Sequence, residues 1–276
     1  MKALLLAKRN CKEILREPLC FVFCLGFPAL LLIAFRLINY YAGGHWMALS
    51  DLLPGVAVFS LSFIMLFMTL LVSKDRATAF LTRLYNAPLS AVDFIVGYAL
   101  PGILLGVLQS LITYAVGLLV CLIPDGSLAA RGIVTVAWEI DYTALPPVET
   151  QVGVTLPFGG ILTATLAALP VILLFVALGI LFGTLLGERA APGATSALIT
   201  GAGLLGGAWM PLSEMGGFET FCRILPFYPA TIAARHAFML RAPSFEELFL
   251  PLLWVLLWAI AASLLAVLLF RRAMRG

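Results

Sequence analysis

Hydrophobic positions in this chain do not alternate with polar ones; they run in long uninterrupted blocks. Six stretches, at about 19–41, 52–73, 92–123, 158–186, 190–212 and 248–270, each reach the ~20 residues an α-helix needs to cross the hydrocarbon of a bilayer. The third and fourth exceed that length. They are expected to tilt, or to kink at Pro101 and Pro170, where a proline removes a helix hydrogen bond. The pattern predicts an all-α integral membrane protein with six transmembrane helices in one transmembrane domain, residues 1–276.

Between the runs the apolar period changes to that of amphipathic helices. In residues 1–18, Leu4, Ala7, Cys11, Ile14 and Leu15 fall on one helical face and Lys8, Arg9, Lys12, Glu13, Arg16 and Glu17 on the other. This is the signature of an interfacial helix with its basic side chains toward lipid headgroups. Pro18 turns the chain inward. In residues 75–88, Asp75 is expected as an N-cap, and Ala77, Phe80, Leu81, Leu84 and Tyr85 recur at helical spacing, with Arg76 and Arg83 opposite. Pro88 biases Ala87 out of the helical region, and Ser90 with Asp93 matches a capping box for the third span. An interfacial helix that only anchors the bundle would account for the apolar face. The compact charges Asp75, Arg76 and Arg83 favour docking of a partner instead.

Two further segments lie outside the runs. Residues 124–157 are proline-rich, and GIVTVAWEIDY followed by VETQVGVT reads as a small hairpin. In residues 213–247, two short helices, about 217–225 and 230–241, are separated by PFYP. They are too apolar for a free loop and too short to span. The expectation is re-entrant helices whose broken backbone is buried against protein.

Composition agrees with the pattern: 62% of residues are hydrophobic and 11% charged. Charge placement then orients the spans. With the N-terminus inside, 12 of the 17 Lys and Arg fall on inner segments, whereas nine of the 14 Asp and Glu fall on outer ones. Basic residues are retained on the cytoplasmic side, so both termini are expected in the cytoplasm of a multi-pass protein of the plasma (inner) membrane. The basic start does not read as a signal peptide, since Glu13 and Glu17 precede the first run and no small-residue cleavage site follows it, so an uncleaved first span is expected.

Candidate chemistry is sparse. Of the five cysteines, Cys121 and Cys222 fall toward the outer face, where a bridge is open to them, but small buried apolar residues are the favoured reading. The two histidines, His45 and His236, make no metal-ligand cluster with other residues. Gly179, Gly183 and Gly187, then Gly203 and Gly207, recur at the four-residue spacing that lets helices approach closely. Gln109 and Thr113 inside the third span favour interhelical hydrogen bonding over a cavity lining. The chain has no G-x-x-x-x-G-K-[ST] loop to cradle nucleotide phosphates. A secondary transporter would carry relay acids within its spans or an internal repeat, and a membrane-embedded enzyme would need a clustered nucleophile, base or metal site. The sequence presents neither pattern.

The order of the segments resembles the membrane (permease) subunits of ATP-binding-cassette exporters of the second type. The resemblance rests on KRN…KEILREP followed by LGFP, on LLPGVAVFSLSF, on DRATAFLTRLYNAPLSAVDFIVGY, on GILFGTLLGERAAPGATSALI and on GAWMPL…LPFYPA. It implies that residues 75–88 are a coupling helix seated in a cleft of a separate ATPase subunit, with Asp75, Arg76, Phe80, Arg83 and Leu84 at that contact. Glu188 and Arg189 would belong to a second inner contact. It further implies that ATP is bound by the partner and no cofactor by this chain. Two permeases, identical or related, and two ATPases would form the unit, with membrane lipid around it and no nucleic acid. The outer loop 124–157 and Arg36 within the first run depart from that pattern.

This topology makes a direct prediction. In sealed cells an impermeant thiol reagent is expected to reach a cysteine placed at Thr143 and to miss one at Thr82; labelling at Thr82 would overturn the orientation.

Overall fold

The computed structural model describes residues 2–42, 49–78, 91–120, 136–141, 148–153, 159–210, 212–239 and 245–273. Helix α1 covers Lys2–Arg16; a short α2, Pro18–Phe21, leads through a π-helical turn, Val22–Gly26, into α3, Phe27–Ala42. Then come α4 (Leu49–Ala77), α5 (Ala91–Val120), α6 (Gly159–Ala167), α7 (Leu169–Leu185) and α8 (Ala191–Leu205). Two short helices, α9 (Gly217–Ile224) and α10 (Phe227–Phe238), precede α11 (Leu250–Ala273). Strands β1 (Val136–Asp141) and β2 (Val148–Gly153) pair antiparallel, with Trp138 opposite Gln151, in the segment where a hairpin is expected.

Among the described residues, three helical stretches are long and apolar enough to cross a membrane: Asp51–Ala77, Val92–Val120 and Phe245–Arg272. A fourth arises if α6 and α7, bent by 41° at their junction, count as one. Val22–Ile38 and Ala191–Leu205 are shorter apolar helices. The chain is therefore a polytopic helical membrane protein.

The irregularities follow the prolines. Pro170 is among the first residues of α7, where its missing N–H costs nothing within the new helix but ends the old ladder at Ala168. The predicted kink of the fourth run is there. Pro101, by contrast, sits inside an unbroken α5. Pro28 and Pro251 each follow a π-helical turn, Val22–Gly26 and Phe245–Phe249. A proline cannot donate to the carbonyl four residues back, and a widened turn just before it relieves the clash with that carbonyl. Pro229 falls in the first turn of α10, so the break ends at Pro226, three residues earlier than the PFYP sequence suggests.

Helix α4 is the axis of the bundle: 89% of its apolar window is buried, against 17% for α11. It packs along α7 and α5 and against α8, while α11 covers the other side of α7. Glycine permits the tightest contact. A Cβ at Gly179 would lie 2.5 Å from the Cβ of Met68, and one at Gly183 would lie 2.6 Å from the Cβ of Val72. These two positions of the glycine repeat thus bring α7 onto α4; a Cβ at Gly187 meets nothing within 4 Å.

Being central, α4 must hide its own polar side chains. Ser60, Ser62, Thr69 and Ser73 donate back to the carbonyls of Ala57, Phe59, Met65 and Leu70, so each hydroxyl is satisfied inside its own helix. Thr69 is also 3.1 Å from the carbonyl oxygen of Gly179 across the contact with α7. Gln109 of α5 donates to the Ser60 carbonyl at 2.7 Å, in the interhelical role expected of it, whereas Thr113 donates to the Gln109 carbonyl within its own helix.

At the N-terminal end of α4, α10 supplies the tie. Arg235 donates to the carbonyl of Asp51 at 3.0 Å and to that of Gly207 at 2.9 Å. Gly207 follows α8 with φ of 60°, the left-handed conformation in which glycine commonly ends a helix. Cys222 is buried in α9 with a free thiol.

Candidate functional site

The opposite end of α4, where the chain leaves the bundle toward residue 79, carries a knot of polar contacts. Asp75 and Arg76 belong to the last turn of α4, so Asp75 is not the N-cap of a new helix as its spacing suggests. The helix continues because the run of residues from Val72 to Ala77 keeps its backbone bonded past the apolar stretch, with Thr78 N–H still donating to the Lys74 carbonyl at 3.0 Å.

Asp75 is buried, with its side chain 3% exposed. Arg9 of α1 donates to its two carboxylate oxygens at 2.5 and 2.9 Å, a forked pair. The Tyr98 hydroxyl of α5 donates to the carboxylate at 2.7 Å. Next to this, Asn10 accepts from Arg9 at 2.9 Å and donates to the Gly97 carbonyl at 3.1 Å. Three helices therefore meet at one carboxylate. Burial pulls the Arg9 pKa down, but the hydrogen bonds and charge of Asp75 outweigh it and leave the guanidinium above its ordinary value.

This arrangement redistributes the faces of α1. Arg9 turns to protein, whereas the amphipathic pattern directs it to headgroups. The buried face is Leu6, Ala7, Asn10 and Ile14, packed on α5, and the fit is close enough that a Cβ at Gly97 would lie 2.7 Å from Leu6 Cδ2. Leu4 and Leu15, expected on the same apolar face, are instead 63% exposed. The helix thus has a protein face, an apolar face without protein cover among the described residues, and a basic face with Lys8 and Lys12.

Arg76 points the other way, toward α7. Its guanidinium donates to the carbonyls of Gly183, at 3.1 Å, and Thr184. These are among the last carbonyls of α7, which have no partner within the helix, and a cation there also complements the negative end of the helix dipole. Glu188 and Arg189 lie immediately beyond, exposed on the turn between α7 and α8. So Asp75, Arg76, Glu188 and Arg189 share one end of the bundle. Phe80, Arg83 and Leu84, and with them residues 79–88 of the expected coupling helix, lie outside the described residues, as does Ser90 of the expected capping box.

Arg9, Asn10 and Tyr98 are functional candidates that sequence reasoning did not select. The signal available was weak: an asparagine on the buried edge of an amphipathic helix, and a tyrosine about two turns into a mostly apolar run. Neither names its partner without the fold.

Comparison with known families adds identity to this geometry. The family model described as ABC-2 type transporter matches residues 2–136, which take in α1 to α5 and the whole Asp75 knot. Over residues 2–136, just under half of its length, the chain is similar to ABC-2 type transporters. A search of curated proteins gives no match.

Removing the acceptor tests the knot. Asp75→Ala leaves Arg9 and Tyr98 without their shared oxygens, and hydrogen bonds to a charged group contribute about 1.5–3 kcal/mol each, so the variant is expected to lose about 2–3 kcal/mol of stability in denaturation of the detergent-solubilised protein. Tyr98→Phe is expected to lose about 1 kcal/mol. An Asp75→Ala loss below about 0.5 kcal/mol, the level of an ordinary surface substitution, would contradict the geometry.

Proposed function

We propose that this chain forms half of the translocation pathway of an ATP-driven exporter, with a separate ATPase subunit bound at the end of the bundle that carries Asp75. The membrane arrangement is six spans with both termini in the cytoplasm of a plasma (inner) membrane protein. α3, α4, α5, the bent α6–α7 pair, α8 and α11 are the spans, and α9 and α10 are re-entrant. The observation that carries this reading is the convergence of the two expected contact regions. Arg76 reaches the last carbonyls of α7, one turn from Glu188 and Arg189.

Residues 75–88 act as the coupling element. Phe80 and Leu84 supply its apolar contact with the ATPase and Arg83 a charged one. Force applied there enters the bundle at once through two rigid attachments: Asp75 to α1 and α5, and Arg76 to α7. A flexible loop would absorb such motion, whereas the last turn of a 29-residue helix transmits it. The second permease has a surface to meet. α8 leaves Gly193, Ser196, Ala197, Thr200 and Leu204 exposed on one side, an unusually small and hydroxylated face for a helix among apolar ones. A pathway along the junction of two such faces would present hydroxyls to a substrate without burying charge.

The experiment is co-purification of the ATPase with variant permeases, alongside ATP hydrolysis and transport. Phe80→Ala is expected to weaken association by about 1.5–3 kcal/mol, the burial worth of a fully enclosed ring. Arg83→Ala is expected to lower stimulated hydrolysis while leaving membrane insertion intact. Normal association and transport in the double variant would refute the coupling role and leave an interfacial anchor.

A further inference from the structure

Between α1, the end of α4 and the turn after α7 there is a cavity of about 210 Å³, of whose lining the coupling argument uses Glu188 alone. Its base is apolar, with Phe67 and Leu71 of α4, and its rim carries Glu13, Glu17 and Glu188 against a single ammonium, Lys74. Lys74 lies 3.6 Å from Glu17, and Arg9, on the far side of Glu13, lies 3.8 Å from that carboxylate and is committed to Asp75. Glu188, whose side chain stands on an exposed turn, has no ion pair or hydrogen bond among the described residues. An oily recess with surplus negative charge at its mouth is complementary to one kind of small molecule.

We propose that this cavity binds an amphipathic organic monocation, its alkyl or aryl body on Phe67 and Leu71 and its ammonium head among Glu17 and Glu188. An anion of the same shape meets the excess carboxylates, and a neutral analogue leaves them without a counter-charge, so charge selects the ligand and the apolar base holds it. The choline head of a lipid offers the same cation but brings a phosphate beside it, which the acidic rim repels; the ligand is accordingly a free cation. Binding requires neither nucleotide nor a partner subunit, so its outcome is separate from that of the transport reading.

The test is saturable binding of radiolabelled hexyltrimethylammonium to the full chain in phosphatidylglycerol nanodiscs, with protein-free discs as blank. The intact protein is expected to bind the probe and hexanesulfonate to leave that binding unchanged. Glu17→Gln/Glu188→Gln is expected to weaken binding by about tenfold, the effect of about 1.4 kcal/mol of lost charge interaction. Leu71→Trp, which fills the base, is expected to abolish it with the rim intact. Equal binding by the double glutamine variant, or equal competition by hexanol, overturns the proposal. Should phosphatidylcholine discs abolish probe binding, the site belongs to a lipid headgroup and the free-cation assignment is overturned.

Discussion

A carboxylate removed from water is costly unless donors replace the water it loses, and in this protein that requirement falls on Asp75. The donors come from two other helices: the guanidinium of Arg9 in α1 and the hydroxyl of Tyr98 in α5. Once α4 delivers Asp75 to the buried end of the bundle, α1 and α5 are fixed in distance and in rotation. The forked geometry matters here, because two parallel bonds restrain the angle between α1 and α4 as well as their separation. The surface pair of Lys74 and Glu17 beside it, more than half exposed on both sides, contributes little by comparison.

The rest of the bundle is arranged so that α4 can carry this role. The hydroxyls of its four buried serines and threonines are satisfied by its own carbonyls, which lets the helix occupy the centre without unpaired polar groups on those side chains. Glycines on α7 then allow close approach, and Arg76 ties the last turn of α4 to the last turn of α7. At the other end Arg235 closes the same helix against α8 and α10 through two carbonyls. α4 is held at both ends by guanidinium groups and along its length by packing, the construction expected of an element that passes displacement from one end to the other.

Much of this was legible from hydrophobic runs and prolines. The apolar blocks place the long helices, Pro170 marks the break between α6 and α7, and α9 falls where expected, whereas α10 begins three residues ahead of its expected start and takes in most of PFYP. The hairpin strands also lie within the segments that alternate. What the pattern misread was direction. Periodicity separates polar from apolar faces but does not say whether an arginine on the boundary faces lipid headgroups or a buried acid 66 positions away, and so Arg9 was assigned to the wrong neighbour. Likewise Asp75 followed by helical spacing looks like a start, because a capping aspartate and one in the last turn of a preceding helix are identical in one dimension. The cavity beside α1 could not be read at all, since its acids come from α1 and from a turn more than 170 residues later.

The claim that one buried carboxylate sets the position of α1 is tested most directly by amide hydrogen exchange on the purified protein with and without Asp75→Asn, a change that keeps shape and removes charge. The account predicts that protection across residues 6–14 of α1 falls sharply while that of α10, tied through Arg235 to the opposite end of α4, is unchanged. Unaltered protection of α1 in the variant would contradict it, and would mean that packing of Leu6 and Ile14 on α5 is sufficient to hold the helix in place.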